Sequence, residues 1–180
     1  MMDNNNRELV ARAKDGDRQA FDKLVKENKD KMFALTLRMT GDREAALDLM
    51  QDSFFTAFKE IGSFRGEAGF SSWLYRIASN KALNYLKRKK ILSFIPLTEK
   101  TSNSASYEMP EYIDGEGLNK ELAIAINSLP PKQKLVFNLR FYEKLPFRQI
   151  ADILNKSEST VKTNYQKAIE KLRKKLEGFR

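Results

Sequence analysis

The chain has 180 residues, enough for one medium domain or two small ones, and 41% of them are hydrophobic, which argues for a packed core and against global disorder. A formal net charge of +9 points to a polyanionic partner, either nucleic acid or an acidic membrane surface. The absence of Cys and His excludes disulfide scaffolds and thiolate metal sites, and removes the commonest general base and transition-metal ligand.

In chain order, residues 1–8 hold no apolar signal-peptide core, and no apolar run reaches the ~20 residues of a membrane span, so a cytoplasmic protein without membrane insertion is expected. Gly16-Asp17 ends a short first helix, and Asp17 is placed to cap the next, whose apolar positions are Phe21, Leu24 and Val25 and then Met32 to Met39. Gly41-Asp42 repeats the stop-and-cap signal. The third helix carries Ala46, Leu49, Met50, Phe54, Ala57, Phe58 and Ile61, and Gly62 ends it. Gly66 and Gly69 mark a loop. A long helix follows from about Ser71 to Lys90 and ends in the basic run 87–90.

From Glu99 to Gly117 five acidic residues stand against one Lys, a net charge of −4, with Pro110, two Gly and no helical period. This reads as a flexible acidic linker, serving either as a solvated tether or as a functional segment. A helix is expected over 118–128, another after Pro130-Pro131 to about Tyr142, a short one over 147–154, and a long basic one from Ser159 to about Leu176. The segment 132–180 carries a net charge of +8, so two basic modules flank an acidic tether. Strand signals are absent. The expected fold is all-α: a first domain over 1–92, a linker over 93–117 and a second domain over 118–180.

Four constellations carry chemistry. In the first, Phe64 to Lys90, a Gly-bearing loop leads into a helix with aromatics, amides and terminal positive charge. Aromatics stack on unpaired bases, Asn reads base edges, and Lys and Arg hold phosphates. Phe64 and Phe70 flank the loop, where side chains and backbone can form a pocket for an unstacked base. Trp73, Tyr75 and Tyr85 could stack on bases too, although aromatics at helical spacing are more often core, and Trp73 and Leu74 are expected to face inward.

The second is the helix-turn-helix pattern over 147–169. Ala151 is small where two helices approach, Asn155 tolerates a left-handed turn, and Ile150 and Val161 suit the space between the helices. Ser157 is placed to cap the second helix, with Ser159 and Thr160 in its first turn. Lys162, Thr163, Asn164, Gln166 and Lys167 are left on or near the exposed face, where Lys and Gln reach base edges and Ser and Thr suit phosphates. The bland alternative is a helical hairpin with a solvated basic face.

The third, Glu44, Asp48 and Asp52, lies at four-residue spacing on one helix face. Without His, a metal fits it poorly, and a solvated ridge or a docking face for a basic partner fits better. No metal or other cofactor is expected. The fourth, residues 87–95, is basic and then apolar, and could be a membrane-surface segment, a solvated helix end or a phosphate-holding tail.

The motifs together resemble the extracytoplasmic-function sigma factors, small two-domain initiation subunits of bacterial RNA polymerase. The resemblance covers residues 7 to about 90 as sigma domain 2 and 118 to about 176 as sigma domain 4. It implies that Glu44 to Phe58 docks on the clamp helices of the largest polymerase subunit through Asp48, Leu49, Gln51, Asp52 and Phe55, although Ala46-Leu47 departs from the family's frequent acidic pair. It implies that the loop Phe64–Phe70 captures a flipped base of the −10 element. The strand would be held by Phe64, Arg65, Gly66, Phe70, Arg76, Asn80, Lys81, Asn84, Lys87 and Arg88. Ser128 to Phe137 resembles the start of domain 4, which packs on the flap of the second-largest subunit. Arg148, Ser157, Ser159, Thr160, Lys162, Thr163, Asn164, Gln166 and Lys167 would bind the −35 element. The family often carries several Arg on this helix where the chain has Lys and amides, so a weaker or different −35 preference is expected. By the same resemblance, the linker threads the polymerase's RNA exit channel.

The implied function is promoter recognition and melting without catalysis. Core polymerase and promoter DNA are the partners, and an anti-sigma factor or recruiting protein is a further one. The competing classes are a stand-alone dimeric helix-turn-helix regulator and a metal-dependent nuclease. The unlike modules and single recognition helix argue against the first. The lack of His and of a convergent acidic cluster argues against the second.

Overall fold

The computed structural model of the protein describes residues 4–66, 69–92 and 118–177. These contain eight α-helices and no strand: α1 (Asn4–Lys14), α2 (Arg18–Thr40), α3 (Arg43–Glu60), α4 (Phe70–Leu92), α5 (Leu118–Asn127), α6 (Pro131–Phe141), α7 (Phe147–Leu154) and α8 (Glu158–Glu177). The linker expected within 93–117 lies outside the described residues, as does most of the apolar tail of the 87–95 segment.

The helix boundaries follow local chemistry. Asp17 accepts a hydrogen bond from Ala20 N at 3.1 Å and so caps α2, and Asp42 accepts one from Ala45 N at 3.0 Å and caps α3. Between them, Gly41 takes φ 67° and donates its N–H to Leu37 O, closing α2 in the left-handed conformation that glycine adopts without strain. Beyond α3 the chain tightens into a 3-10 turn, Ile61–Ser63, that includes Gly62. Asn155 sits at φ 50° between α7 and α8, and Thr160 N donates to Ser157 Oγ at 3.2 Å, giving the expected turn and cap.

In the first half, Leu24, Met32, Leu35, Met39 and Leu74 are fully buried among α2, α3 and α4. Polar side chains tie these helices at defined points. Asn28 donates to Leu24 O and accepts from Ser71 Oγ at 2.7 Å, which joins α2 to the start of α4. The Thr36 hydroxyl lies 2.9 Å from Ala46 O and joins α2 to α3. In the second half, Ala125, Ile126, Leu129, Phe137, Ala168 and Leu172 form a core between α5, α6 and α8. The larger core does not stop at the linker. Leu135, Val136, Leu139, Ile150, Ile153 and Val161 belong to the same buried cluster as the residues of α2 and α4. The two halves therefore pack against each other through α6 and α7, an arrangement on which the sequence is silent.

Candidate nucleic-acid interface

The loop after α3 is built on an aromatic floor. Phe64 and Phe70 are buried, and Phe64 lies 4.9 Å from Trp73 and 6.2 Å from Phe70, ring centre to ring centre. Lys14 donates to Phe64 O at 3.1 Å and fixes the start of the loop. Gly66 turns the chain at φ +76°, a conformation that a side chain would strain. Above this floor opens a cleft of about 460 Å³ lined by Phe64, Arg65, Gly66, Ser72, Trp73 and Arg76 of the first half, among others. Its opposite wall is Gln149, Asp152 and Ile153 of α7.

Trp73 is thus half-buried and lines the cleft, whereas Leu74 is fully buried. Phe70 lies beneath the cleft, in the core. Tyr75, considered above as a base-stacking residue, is buried instead, with its hydroxyl donating to Glu143 Oε2 at 2.5 Å. Burial, and then the neighbouring carboxylate, hold this phenol protonated well above the ordinary tyrosine range.

Along α4, Arg76, Asn80, Asn84, Lys87 and Arg88 are exposed, at spacings that keep them on one side of the helix. Lys81 is half-buried beside Asp52 of α3, at 3.9 Å. Arg76 is not free in this arrangement. Its guanidinium donates to Asp152 O at 2.5 Å and Ile153 O at 3.2 Å, at the carboxyl end of α7, where the negative end of the helix dipole attracts a cation.

On α8, Ser159, Thr160, Lys162, Thr163, Gln166 and Lys167 are exposed, as are Ser157 and Arg148. Ser157 Oγ lies 3.0 Å from Ser159 Oγ and 2.7 Å from Thr160 Oγ1, a hydroxyl cluster at the helix start where a phosphate would meet the positive end of the helix dipole. Lys162 pairs with Glu158 at 2.7 Å, and Asn164 is half-buried with its amide donating to Thr160 O at 3.0 Å.

On α3, Asp48, Gln51, Asp52 and Phe55 are exposed and Leu49 is half-buried. Phe55 is 58% exposed, and with Phe54, Phe58, Phe21, Arg18 and Asp22 it lines an apolar groove between α2 and α3. Among the described residues no carboxylate group is arranged to hold a metal, and no helix is long and apolar enough to cross a membrane.

The cleft's α7 wall escaped sequence reasoning, as did Lys14 and the residues where the halves meet. Nothing in a single helix's periodicity reports which other helix lies opposite.

The chain matches the family models for Sigma-70 region 2 over residues 24–91 and Sigma-70 region 4 over residues 125–174. It is 33% identical to the ECF RNA polymerase sigma factor SigW of Bacillus subtilis, with 93% of this chain and 94% of that one covered. It is also 33% identical to the ECF RNA polymerase sigma-E factor of Haemophilus influenzae, with 94% of each covered. The fold is similar to that of CnrH in complex with the cytosolic domain of CnrY, at a TM-score of 0.73 and 20% identity over 97% of this chain and 99% of that one. It is also similar to that of the sigma factor RpoE in complex with the anti-sigma factor NepR from Bartonella quintana, at a TM-score of 0.67 and 18% identity over 89% and 98%. The chain therefore belongs to the extracytoplasmic-function sigma factors, DNA-binding subunits through which RNA polymerase recognises promoters and initiates transcription.

Proposed function

We propose that this sigma factor works through three surfaces and has no catalysis of its own. The division into modules at 1–92 and 118–180, with 93–117 between them, is part of the proposal. The face Asp48, Leu49, Gln51, Asp52 and Phe55 docks on core polymerase, at the clamp helices of the largest subunit, and the second module sits on the flap of the second-largest. The cleft over Phe64 and Trp73 takes an unpaired base of the −10 element, and Arg76, Asn80, Lys81, Asn84, Lys87 and Arg88 follow the strand. The exposed side of α8, with the hydroxyl cluster at its start, holds the −35 element. Melting follows because the unpaired −10 strand is bound selectively, which draws the duplex–open equilibrium towards the open form.

The observation that carries this reading is the aromatic-floored cleft opening beside a basic, amide-bearing helix face. Lys and Gln in place of Arg on α8 favour a looser −35 grip, which leaves room for a recruiting protein. An anti-sigma factor is a further expected partner, and the cytoplasm is the expected location. One relative in fold, the sigma factor RpoE, was captured with the anti-sigma factor NepR.

The test is an open-complex assay with purified protein, bacterial core polymerase and a fluorescent pool of promoter fragments. Melting that requires both proteins is the expected result. Duplex binding by this protein alone, unaffected by polymerase, would instead point to a stand-alone regulator.

A further inference from the structure

The two walls of the cleft differ in chemistry. Arg65, Ser72, Trp73 and Arg76 stand on one side, and Gln149 and Asp152 of α7 on the other. Strand holding accounts for the indole and the cations, which suit bases and phosphates. It does not account for Asp152. A carboxylate beside the path of a polyanion repels it. This one is exposed, and among the described residues it makes no ion pair that would explain it.

The groups around Asp152 are held in place. Gln149 Nε2 donates to Ser72 Oγ at 2.7 Å, which leaves Gln149 Oε1 as a second acceptor on the α7 wall. Arg76 uses Nε on Ile153 O and one terminal nitrogen on Asp152 O, and its other N–H groups remain for an anion. Trp73 is packed against Phe64 at 4.9 Å and Phe70 at 5.8 Å, ring centre to ring centre, so it lines the cleft as a rigid stacking surface. The volume of about 460 Å³ falls within the roughly 300–1,000 Å³ of small-molecule sites.

Such a cleft suits a flat ring with donors on one edge and an anionic group away from it. An ionised carboxylate accepts through two oxygens and donates nothing. Of the common bases, only guanine sets two donors side by side, N1–H and the N2 amine, against such an acceptor. Adenine and cytosine place one amine beside a lone pair, which a carboxylate repels. Thymine flanks its single N–H with two carbonyls.

We propose that the cleft is a site for a free guanine nucleotide. The base stacks on Trp73, N1–H and N2–H donate to Asp152, and the phosphates pair with Arg65 and Arg76. This rests on the reading of the cleft as a base-binding site. The source is a free nucleotide rather than the promoter strand, because α7 and α8 form one helix-turn-helix. With α8 on the distant −35 element, α7 carries its carboxylate away from the −10 cleft. Nucleotide and −10 base share Trp73 and both arginines, so guanine nucleotide competes with the promoter.

The test is a titration of the full chain. Trp73 is its single Trp and lines the cleft, so quenching of its emission reports a base stacking there. GDP is expected to quench at about ten-fold lower concentration than ADP, a ratio within reach of one bidentate base contact. In Asp152→Asn a donor replaces one acceptor oxygen. Quenching by GDP then falls to the level of ADP, with the unfolding temperature unchanged because the side chain is exposed.

Equal quenching by GDP and ADP in the native chain overturns the proposal. So does a preference for GDP that survives in Asp152→Asn. A short single strand of thymidines, which has phosphates and bases but no guanine, separates this idea from the one beneath it. Quenching by that strand but not by GDP removes the nucleotide site and leaves a base-binding cleft. Quenching by neither removes the base-binding reading itself, and the nucleotide site with it.

Discussion

Phe64 and Arg65 are neighbours on the same cleft, but their substitutions test different things. Phe64 is 6% exposed and packs at a tilt against Trp73, so Phe64→Ala removes core packing and is expected to cost about 3–5 kcal/mol of stability. Any loss of DNA binding in that variant is confounded by unfolding. Arg65 is exposed, and Arg65→Ala is expected to leave stability within about 0.5 kcal/mol while weakening quenching of Trp73 by single-stranded DNA. Thermal unfolding and a fluorescence titration on the same samples check both. A fall in melting temperature for Arg65→Ala would show that Arg65 supports the loop's fold rather than contacting DNA alone. At this scale the sequence marks Phe64 and Gly66 correctly as part of the loop, but gives Tyr75 no sign of its buried role. A tyrosine at helical spacing reads the same whether its hydroxyl meets a base or, as here, a carboxylate from another helix.

Among the elements, α8 was the most legible. Its start is set by a serine whose hydroxyl accepts from the helix's own backbone, and its inward side by Val161, Ala168 and Leu172, all buried. These are local interactions of a few residues, so spacing suffices to place them. The exposed side is more varied than its composition suggests. Lys162 is partnered by Glu158 and Asn164 by Thr160 O, whereas Gln166 and Lys167 are open. On the proposed −35 duplex, Lys167→Ala is expected to lower affinity evenly across sequences and to reduce the slope of log affinity against log salt by about 1, as for the loss of one phosphate contact. Titration against a randomised −35 duplex library at several salt concentrations measures both. A strong, narrow sequence preference in the native protein would contradict the loose grip inferred from Lys and Gln. Helix α6 was legible in extent but not in role. Lys134 and Asn138 stand four residues apart, the spacing of a solvated stripe, and both are buried against Met39.

For the whole molecule, the contact between the two halves depends on pH through Lys134 of α6, which donates to Met39 O of α2 at 2.9 Å. Burial, and secondarily the charge of Lys89, lower the Lys134 pKa to about 8 when the halves are packed, from its ordinary value of 10.5. The groups facing it are Met39 O, Asn127 Oδ1 and Lys89. Below about pH 8 the ammonium is charged whether the halves are packed or apart, and its desolvation weighs fully against packing. Between about 8 and 10 the separated form binds more protons, so packing strengthens as pH rises. Tyr75, facing Glu143 and Arg38, acts in the opposite sense, because its pKa is raised in the packed form, but its contribution is lost only above its ordinary value of 10.0. Because the chain has no Cys, fluorescent labels placed at Lys26→Cys and Lys171→Cys report the distance between the halves, which is expected to shrink from about pH 7.5 to 9.5, and Lys134→Met is expected to abolish that change. A pH-independent distance in the native protein would remove Lys134 from the energetics of the contact between the halves.

The sequence by itself determined the helices, their caps, the left-handed turns at Gly41 and Asn155, the helix-turn-helix and the family. Each depends on residues within about one or two helical turns of each other, where spacing and backbone preference decide. Only the tertiary structure decided that α7 faces the cleft, that Arg76 is held by helix carbonyls, and that Glu143, Tyr75 and Arg38 meet. Those groups stand 68 and 105 residues apart in the chain, and a polar side chain carries no local mark of whether its partner is water or another helix.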